Sequence, residues 1–350
     1  PQPSKIIKRA FSDIWFLFCK DTKRTALGLS SHAKKMLLFL QGMQEGIVYR
    51  STGSWYSVKA GSKFYQCRIK GKIRLQGIKS TNPVAVGDRI HFEPDPKQPE
   101  QGVIHEILDR KNYIIRRSVN LSKQTHIIAA NIDQAFLLVT VNNPVTTYTF
   151  IDRFLAAAAA YRIPVVLLFN KIDSYSNEEQ QTLEKMQAIY TAIGYETHFI
   201  SALEKEGIGD LKQAMNGKVS MFSGHSGVGK STLANAISPE LQLKTASVST
   251  AHAQGQHTTT FAEMFDLDSG IRIIDTPGIR GFGVVDMSPT ELADYFLEFL
   301  SLQESCKFHN CLHVEEPDCA IKAAVENGAI ATSRYTSYLQ LLEEDTPYRK

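Results

Sequence analysis

Short runs in which apolar and polar residues alternate dominate the chain between residues 46 and 117. Glycine separates several of these runs, for example at Gly53 and Gly71. Alternation with a period of two is typical of strands that bury only one face. Five short strands with this punctuation predict a small β-barrel, for which the OB-fold is the natural five-stranded candidate.

The pattern changes after residue 131, where apolar residues form continuous runs that are typical of strands buried on both faces. The predicted strands cover residues 135–141, 164–169, 198–201, 219–222 and 271–275. Helical segments lie between them, at 150–161, 178–194 and 231–237. Alternating strands and helices predict a doubly wound α/β sheet.

Together these patterns predict a multidomain α/β protein. Residues 43–117 are expected to form the OB-fold barrel and residues 118–285 the α/β domain. Residues 286–350 predict a helical domain around a cluster of cysteine and histidine, with helices at 319–327 and 333–344.

Charge is distributed unevenly, although the net charge is only +3. Residues 46–120 hold 14 Lys and Arg against 6 Asp and Glu, whereas residues 121–350 carry a net charge of −10. A basic module joined to an acidic one indicates nucleic-acid contact through the barrel. The alternative is a solvated basic face without a partner.

Residues 1–42 are basic, lack a clear period and begin at Pro1. We expect Met43 to be the natural start and this extension to lie outside the native fold; the alternative is a genuine, partly helical extension.

No run reaches the roughly 20 apolar residues that span a bilayer. Three of the five cysteines cluster with histidines, which favours metal binding in a reducing compartment. We therefore expect a cytoplasmic protein.

The strongest motif is Gly-His-Ser-Gly-Val-Gly-Lys-Ser at residues 224–231, which matches the P-loop pattern G-x-x-x-x-G-K-[ST] between a predicted strand and a predicted helix. Its glycines let backbone N–H groups face phosphates. Lys230 can reach the β- and γ-phosphates, and the Ser231 hydroxyl can ligate Mg²⁺. The residues expected to contact the nucleotide are Gly224, His225, Ser226, Gly227, Val228, Gly229, Lys230, Ser231 and Thr232.

A second motif, Asn-Lys-Ile-Asp at residues 170–173, follows the strand at 164–169 and predicts guanine as the base. The Asn170 amide can bond the O6/N7 edge, and the Asp173 carboxylate can accept from N1–H and N2–H₂. The stem of Lys171 can pack over the ring. Ser201 and Ala202 follow another strand end and could brace the base through backbone N–H groups. Each motif is weak by itself.

The Mg²⁺ side of the site is expected at Asp-Thr-Pro-Gly, residues 275–278. Asp275 can hold Mg²⁺ through water, and the Gly278 amide can meet the γ-phosphate. Residues 255–260 read Gly-Gln-His-Thr-Thr-Thr, and one of these threonines can complete the Mg²⁺ shell. We favour Thr259, then Thr258. A loop ordered by the γ-phosphate and Mg²⁺ is typical of a nucleotide switch.

The order of the motifs is more specific than any one of them. They run from the base motifs through the P-loop to the Asp275 motif, whereas Ras-like GTPases place the P-loop first and the base motifs last. A rotation of this chain's order restores that sequence, which predicts a circularly permuted G domain.

From about residue 46 to its end, the chain resembles the ribosome small-subunit-dependent GTPase A family (RsgA or YjeQ). The family's Gly-(Arg/Gln/Lys)-His-Thr-Thr-Thr stands at 255–260, and its Cys-x₄-Cys-x-His-x₅-Cys stands at Cys306, Cys311, His313 and Cys319. The resemblance implies an OB-fold, a permuted G domain, a zinc domain and the small ribosomal subunit as partner of a monomeric GTPase.

The four clustered residues also predict zinc from their chemistry. Three thiolates and one imidazole make a closed tetrahedral shell, the structural type of zinc site. His309 competes as the nitrogen ligand, and the family register favours His313. The alternative is a set of isolated buried thiols.

Hydrolysis is expected to be slow without a partner. The residue after Gly278 is Ile279, which cannot orient water as the glutamine of Ras-like enzymes does. The resemblance points to His257 as the catalytic group, together with Lys230; alternatively, His257 only packs within its loop.

The barrel offers the expected RNA contacts. Basic residues alternate with apolar ones at Arg68, Lys70, Lys72 and Arg74, so one face could bind ribosomal RNA. Two rival hypotheses remain: a GTPase switch with a protein partner, and an RNA-binding scaffold that holds GDP or GTP without meaningful turnover.

Overall fold

The computed structural model describes residues 42–69, 71, 83–117, 125–241, 262–267, 270–275 and 288–344. Lys72 and Arg74 of the predicted basic face and residues 1–41 of the extension lie outside them. Among the described helices, none is both long and apolar enough to cross a membrane.

Five strands form the predicted barrel. They are β1 (Gln44–Ser51), β2 (Tyr56–Ala60), β3 (Lys63–Ile69), β4 (Arg89–Pro94) and β5 (Gln101–Ile107). Their order is β1-β2-β3-β5-β4, and β4 pairs again with β1, so the barrel closes. Val48, Val58, Phe92 and Ile104 are buried in its interior, as the alternating pattern of their strands requires. The five-stranded barrel is confirmed.

A two-stranded antiparallel sheet follows the barrel, formed by β6 (Tyr113–Arg117) and β7 (Thr125–Ala130). The barrel's last strand therefore ends at Ile107 in this structure, and β6 pairs elsewhere. Asn112 fixes the start of β6, because its side chain accepts from the backbone N–H of Ile132 and donates to the Ile132 carbonyl, both at 2.8 Å.

The α/β domain contains a six-stranded part of the main sheet. Its strands are β8 (Gln134–Val139), β9 (Val165–Asn170), β10 (Glu196–Ile200), β11 (Val219–Ser223), β12 (Glu263–Asp266) and β13 (Arg272–Asp275). The order is β10-β9-β8-β11-β13-β12. All neighbours are parallel except β12, which runs antiparallel to β13.

Helices cover both faces of this sheet. They are α1 (Tyr148–Ala160), α2 (Asn177–Ile193), α3 (Ile208–Met215) and α4 (Lys230–Ile237). Phe154 of α1 and Leu183 of α2 belong to one core, and Leu211 of α3 and Leu233 of α4 to the other. The doubly wound sheet is confirmed. Sequence analysis missed α3, although its buried Ile208, Leu211 and Met215 recur at helical spacing.

The C-terminal region is helical, as predicted. Its helices are α5 (Pro289–Leu292), α6 (Leu297–Leu300), α7 (Ala320–Glu326) and α8 (Thr332–Glu344). Helix α8 packs on α1 through a buried ion pair between Arg334 and Asp152, with an N–O distance of 2.6 Å. Arg334 also makes two hydrogen bonds to Glu298, at 2.6 and 2.9 Å. The C-terminal region is thereby joined to the α/β domain.

Candidate functional site

The P-loop leaves the carboxyl end of β11 and enters α4 at Lys230. At two of its glycines, neighbouring atoms come so close that a Cβ would not fit. A Cβ on Gly224 would lie 2.8 Å from the Leu138 carbonyl oxygen, and one on Gly229 would lie 2.4 Å from Asn170 Nδ2. Both also have positive φ angles, 138° and 103°, that other residues rarely adopt. The loop therefore needs glycine at these two positions of the motif.

The Lys230 side chain lies inside the loop. Its Nζ donates to the carbonyl oxygens of Gly224 and His225, both at 2.7 Å. Burial lowers the pKa of Lys230, and the nearby Asp275 carboxylate opposes this. An ammonium group has three N–H donors. Two of them anchor the side chain to the loop, which leaves one for a phosphate oxygen at the site.

The exposed tip of the loop is formed by Ser226 and Gly227, and Val228 turns back into the core. Helix α4 begins directly after this tip, so Ser231 and Thr232 lie in its first turn. The amino end of a helix carries a partial positive charge that favours anions. The loop thus has the features expected of a phosphate site.

Asn170 ends β9 and connects three parts of the site. Its Nδ2 donates to the Val228 carbonyl in the P-loop at 2.8 Å, and its Oδ1 accepts from the Ala202 backbone N–H at 2.9 Å. Asn170 is buried, with 1% of its surface exposed. One Nδ2 hydrogen remains for a base. The structure therefore brings together the P-loop, the Asn170 motif and the residue pair Ser201–Ala202.

The remaining base residues lie around Asn170. Ser201 donates from Oγ to the Asp173 carboxylate, and it accepts from the Glu204 backbone N–H at 3.0 Å. Lys171 has a left-handed φ of 69°, and its Nζ donates to the Asn143 carbonyl. Burial lowers the pKa of Lys171, and Asp173 opposes this. All predicted base residues therefore lie at the carboxyl ends of β9 and β10.

Tyr175 supports the base motif and was missed by sequence analysis. Its hydroxyl donates to the Asn170 carbonyl at 2.7 Å and accepts from the Val141 backbone N–H at 3.3 Å. Burial raises the pKa of Tyr175 to about 12, so it stays neutral and can donate at physiological pH. A tyrosine five residues after Asn170 carries no motif that could have signalled this role.

On the Mg²⁺ side, Asp275 ends β13, the strand next to the P-loop strand. Its carboxylate favours the charged form of Lys230 and so raises the pKa of that side chain against the effect of burial. Other predicted residues lie outside the described part of the chain, namely His257, Thr258, Thr259, Thr260 and Gly278.

The four predicted metal ligands come together between α6 and α7. Sγ of Cys306 lies 4.0 Å from Sγ of Cys319 and 3.6 Å from Nδ1 of His313, and Cys319 Sγ lies 3.4 Å from that nitrogen. With Cys311, all four ligand atoms lie within 4.8 Å of one another. His309 is exposed and lies outside this cluster.

Residues of α6 and α8 hold the segment that carries the four predicted ligands. The Tyr335 hydroxyl of α8 donates to the His313 carbonyl at 2.6 Å, and the Tyr338 hydroxyl donates to the Leu312 carbonyl at 2.9 Å. The His313 ring is buried, with 2% exposure, and it forms a T-shaped pair with the ring of Phe299. The cluster could therefore hold a metal ion in a preformed site.

On the barrel, Arg68 is the described member of the predicted basic face, since Lys70, Lys72 and Arg74 lie outside the described residues. Its guanidinium stacks on Trp55, 3.8 Å from the ring centroid. Such a stack fixes an arginine side chain on the surface at low entropic cost.

Two family profiles match successive parts of the chain. The profile of the RsgA N-terminal domain matches residues 45–104, and the profile of the RsgA GTPase matches residues 107–285. A protein of Christiangramia forsetii named small ribosomal subunit biogenesis GTPase RsgA is 62% identical over 308 residues, or 87% of this chain and 98% of that protein. A protein of Bacteroides fragilis with the same name is 54% identical over 308 residues, covering 87% of this chain and 99% of its own length.

Two solved structures share the fold. The crystal structure of YjeQ from Thermotoga maritima has a TM-score of 0.72 and 36% identity, and the match covers 88% of this chain and 100% of that one. The crystal structure of YloQ, described as a circularly permuted GTPase, has a TM-score of 0.68 and 29% identity, with 88% and 97% covered. With its barrel, its permuted site and these matches, the chain belongs to the RsgA family of circularly permuted GTPases.

Proposed function

We propose that this GTPase binds the small ribosomal subunit, acts in its late maturation and hydrolyses GTP faster when the subunit is bound. The observation that carries the proposal is the junction at Asn170, which connects the P-loop to the guanine motifs in permuted order. Relatives up to 62% identical are named for small-subunit biogenesis. This work would take place in the cytoplasm, where subunits are built.

The nucleotide would lie across the carboxyl ends of β9, β10 and β11. The P-loop residues 224–232 and the Gly278 amide would surround the phosphates. Asn170, Asp173 and the Ser201–Ala202 backbone would read guanine, with Lys171 packed over the ring. Asp173 accepts from Ser201 here, so its carboxylate is already oriented by a neighbour before it meets the base.

Magnesium fits the donors on the phosphate side, because hydroxyl and carboxylate oxygens are the ligands it prefers. Ser231, Asp275 and Thr259 would hold it, and the bound ion would neutralise charge on the β- and γ-phosphates. Lys230 would supply the second cationic charge from its fixed position in the loop. With Ile279 unable to orient water, we assign that role to His257 in the subunit-bound protein.

For the Cys306 cluster we propose one structural zinc ion. A tetrahedral shell with Zn–S of about 2.3 Å and Zn–N of about 2.0 Å has ligand–ligand edges of about 3.5–3.8 Å. The three separations among Cys306, Cys319 and His313, 3.4–4.0 Å, fit these edges, and all four ligand atoms lie within 4.8 Å of one another. Nδ1 of His313 faces the thiols, so Cys306, Cys311, Cys319 and His313 would close the shell.

Purified protein is expected to contain about one zinc per chain, measured by mass spectrometry of the metal. Replacing His313 by alanine should release the ion, because it removes one of four ligands. Replacing the exposed His309 by alanine is the matched control and should retain the full content. Equal loss in both variants, or another metal in the wild type, would show that the ligand set is misassigned.

Ribosomal RNA would bind the basic face of the barrel through Arg68, Lys70, Lys72 and Arg74. The Arg68–Trp55 stack supports this assignment, because it presents a planar cation and an aromatic surface together. A monomer suffices for this function, since the described guanine, P-loop and metal residues all come from one chain.

The test is GTP hydrolysis with and without purified small subunits, with ATP in parallel. We expect strong stimulation with GTP and none with ATP. Adenine lacks the two N–H groups from which the Asp173 carboxylate would accept hydrogen bonds in guanine. Binding to the subunit should weaken as salt rises, because phosphate contacts release counterions. Fast turnover without subunits, or turnover of ATP, would refute the proposal.

A further inference from the structure

Phe150 lies in the first turn of α1 and stacks on His225 of the P-loop. The ring centroids are 3.8 Å apart, and the ring planes meet at 29°. Burial lowers the pKa of His225, and the charge of Lys230 lowers it further, so the ring is neutral at physiological pH. The stack is therefore an apolar contact between two rings rather than a cation–π pair.

His225 is one of the two residues that anchor Lys230, through its backbone carbonyl. Val228 is buried and its carbonyl accepts from Asn170, whereas Ser226 and Gly227 at the tip of the loop are exposed. Between Gly224 and Gly227, His225 has the only large side chain. The Phe150 ring thus restrains the peptide that sets the position of the Lys230 ammonium group.

Hydrogen bonds and an ion pair fix the segment of α1 around Phe150. Its backbone N–H donates to Thr147 Oγ1 at 3.3 Å, which caps α1. Thr149 donates from Oγ1 to Gln340 of α8 at 2.7 Å, and Asp152 pairs with Arg334 at 2.6 Å. Residues on both sides of Phe150 are therefore held by the C-terminal helix. A support fixed in this way can transmit its position to the loop.

We infer that Phe150 is a positioning residue for GTP hydrolysis: by stacking on His225, it holds the P-loop carbonyl that anchors Lys230. In this proposal Phe150 acts through His225 and not by contact with the nucleotide. The inference rests on the proposed function, because it assigns Lys230 to the phosphates. A small displacement of a charge-stabilising group at such a site can cost one to two orders of magnitude in rate.

The test uses the full chain and single-turnover GTP hydrolysis without subunits. Phe150→Leu keeps an apolar side chain but removes the ring, and it should lower the rate constant on the order of tenfold. Phe150→Tyr keeps the ring and should stay within about twofold of wild type. His225→Leu should match Phe150→Leu. Phe64→Leu, a half-exposed barrel phenylalanine, is the control and should leave the rate unchanged.

The double variant Phe150→Leu/His225→Leu separates positioning from general damage. If both residues act through one stack, the double variant should lose the same factor in rate constant as either single variant. The thermal midpoint of each variant is measured alongside, because a merely structural role would lower the midpoint and leave the rate constant of the folded protein unchanged. An unchanged rate in Phe150→Leu, or losses that multiply in the double variant, would overturn the inference. Failure of the proposed function would appear separately, as wild-type protein that does not hydrolyse GTP.

Discussion

Replacing Lys230 by alanine is expected to reduce the rate of GTP hydrolysis by roughly 10³-fold, both with and without small subunits. The ammonium group is held at 2.7 Å by two loop carbonyls, so its charge is fixed before the reaction begins. A preorganised cation stabilises the charge that develops on the transferred phosphoryl group without reorganisation. In the alanine variant, only Mg²⁺ and the backbone N–H groups would remain to stabilise that negative charge. Single-turnover hydrolysis at saturating GTP measures the effect.

The control for this prediction is Lys212→Ala. Lys212 lies on α3 of the same domain and is exposed, so the change removes one positive charge away from the loop. Its hydrolysis rate should remain within about twofold of wild type, since exposed charges contribute little over such distances. A Lys230→Ala protein that remains folded and hydrolyses GTP at a near-normal rate would contradict the assignment of this lysine to the phosphates.

Replacing Arg334 by methionine is expected to lower the free energy of unfolding by about 3–5 kcal/mol. Arg334 and Asp152 have side-chain exposures of 1% and 0%, and Glu298 completes the ion pair from α6. Although burial disfavours its charge, the Asp152 and Glu298 carboxylates raise the pKa of Arg334, so the guanidinium stays charged. Methionine leaves two carboxylates without their cation, and desolvation of a charge without a partner is costly. Urea unfolding followed by circular dichroism measures the change.

An exposed ion pair of the same region provides the comparison. Lys307 and Asp318 lie 2.8 Å apart with side-chain exposures of 54% and 71%. Lys307→Met should change the free energy of unfolding by less than about 1 kcal/mol, because solvent screens such pairs. If Arg334→Met cost no more than Lys307→Met, the buried ion pair would not be what joins α8 to α1.

Local patterns determined much of this protein in advance. Period-two alternation predicted the barrel, continuous apolar runs predicted β8, β9 and β11, and helical periodicity located α1, α2 and α4 to within a few residues. These predictions succeed because burial on one face, or on both, leaves a direct record in neighbouring residues. The positions of the P-loop and the base motifs in the fold were predictable for a similar reason: each follows a strand end, where a doubly wound sheet binds its ligands.

Alternatives that were left open by the sequence needed coordinates. His309 and His313 are both close to the cysteines along the chain, and only the fold places the His313 ring among the thiols and leaves His309 exposed. Helix α3 was missed because eight residues give a short periodic signal and, unlike the equally short α4, it follows no P-loop motif that would mark its start.

The sequence by itself determined the order of the motifs, their residue types and the class of fold, because all of these are properties of short segments. The tertiary structure alone decided which side chains hold those segments together. Asn170 meets Val228, Phe150 meets His225 and Asp152 meets Arg334, each across more than 50 positions of the chain. Such contacts leave no periodic pattern in the sequence, since their partners become neighbours only when the sheet and its helices have packed.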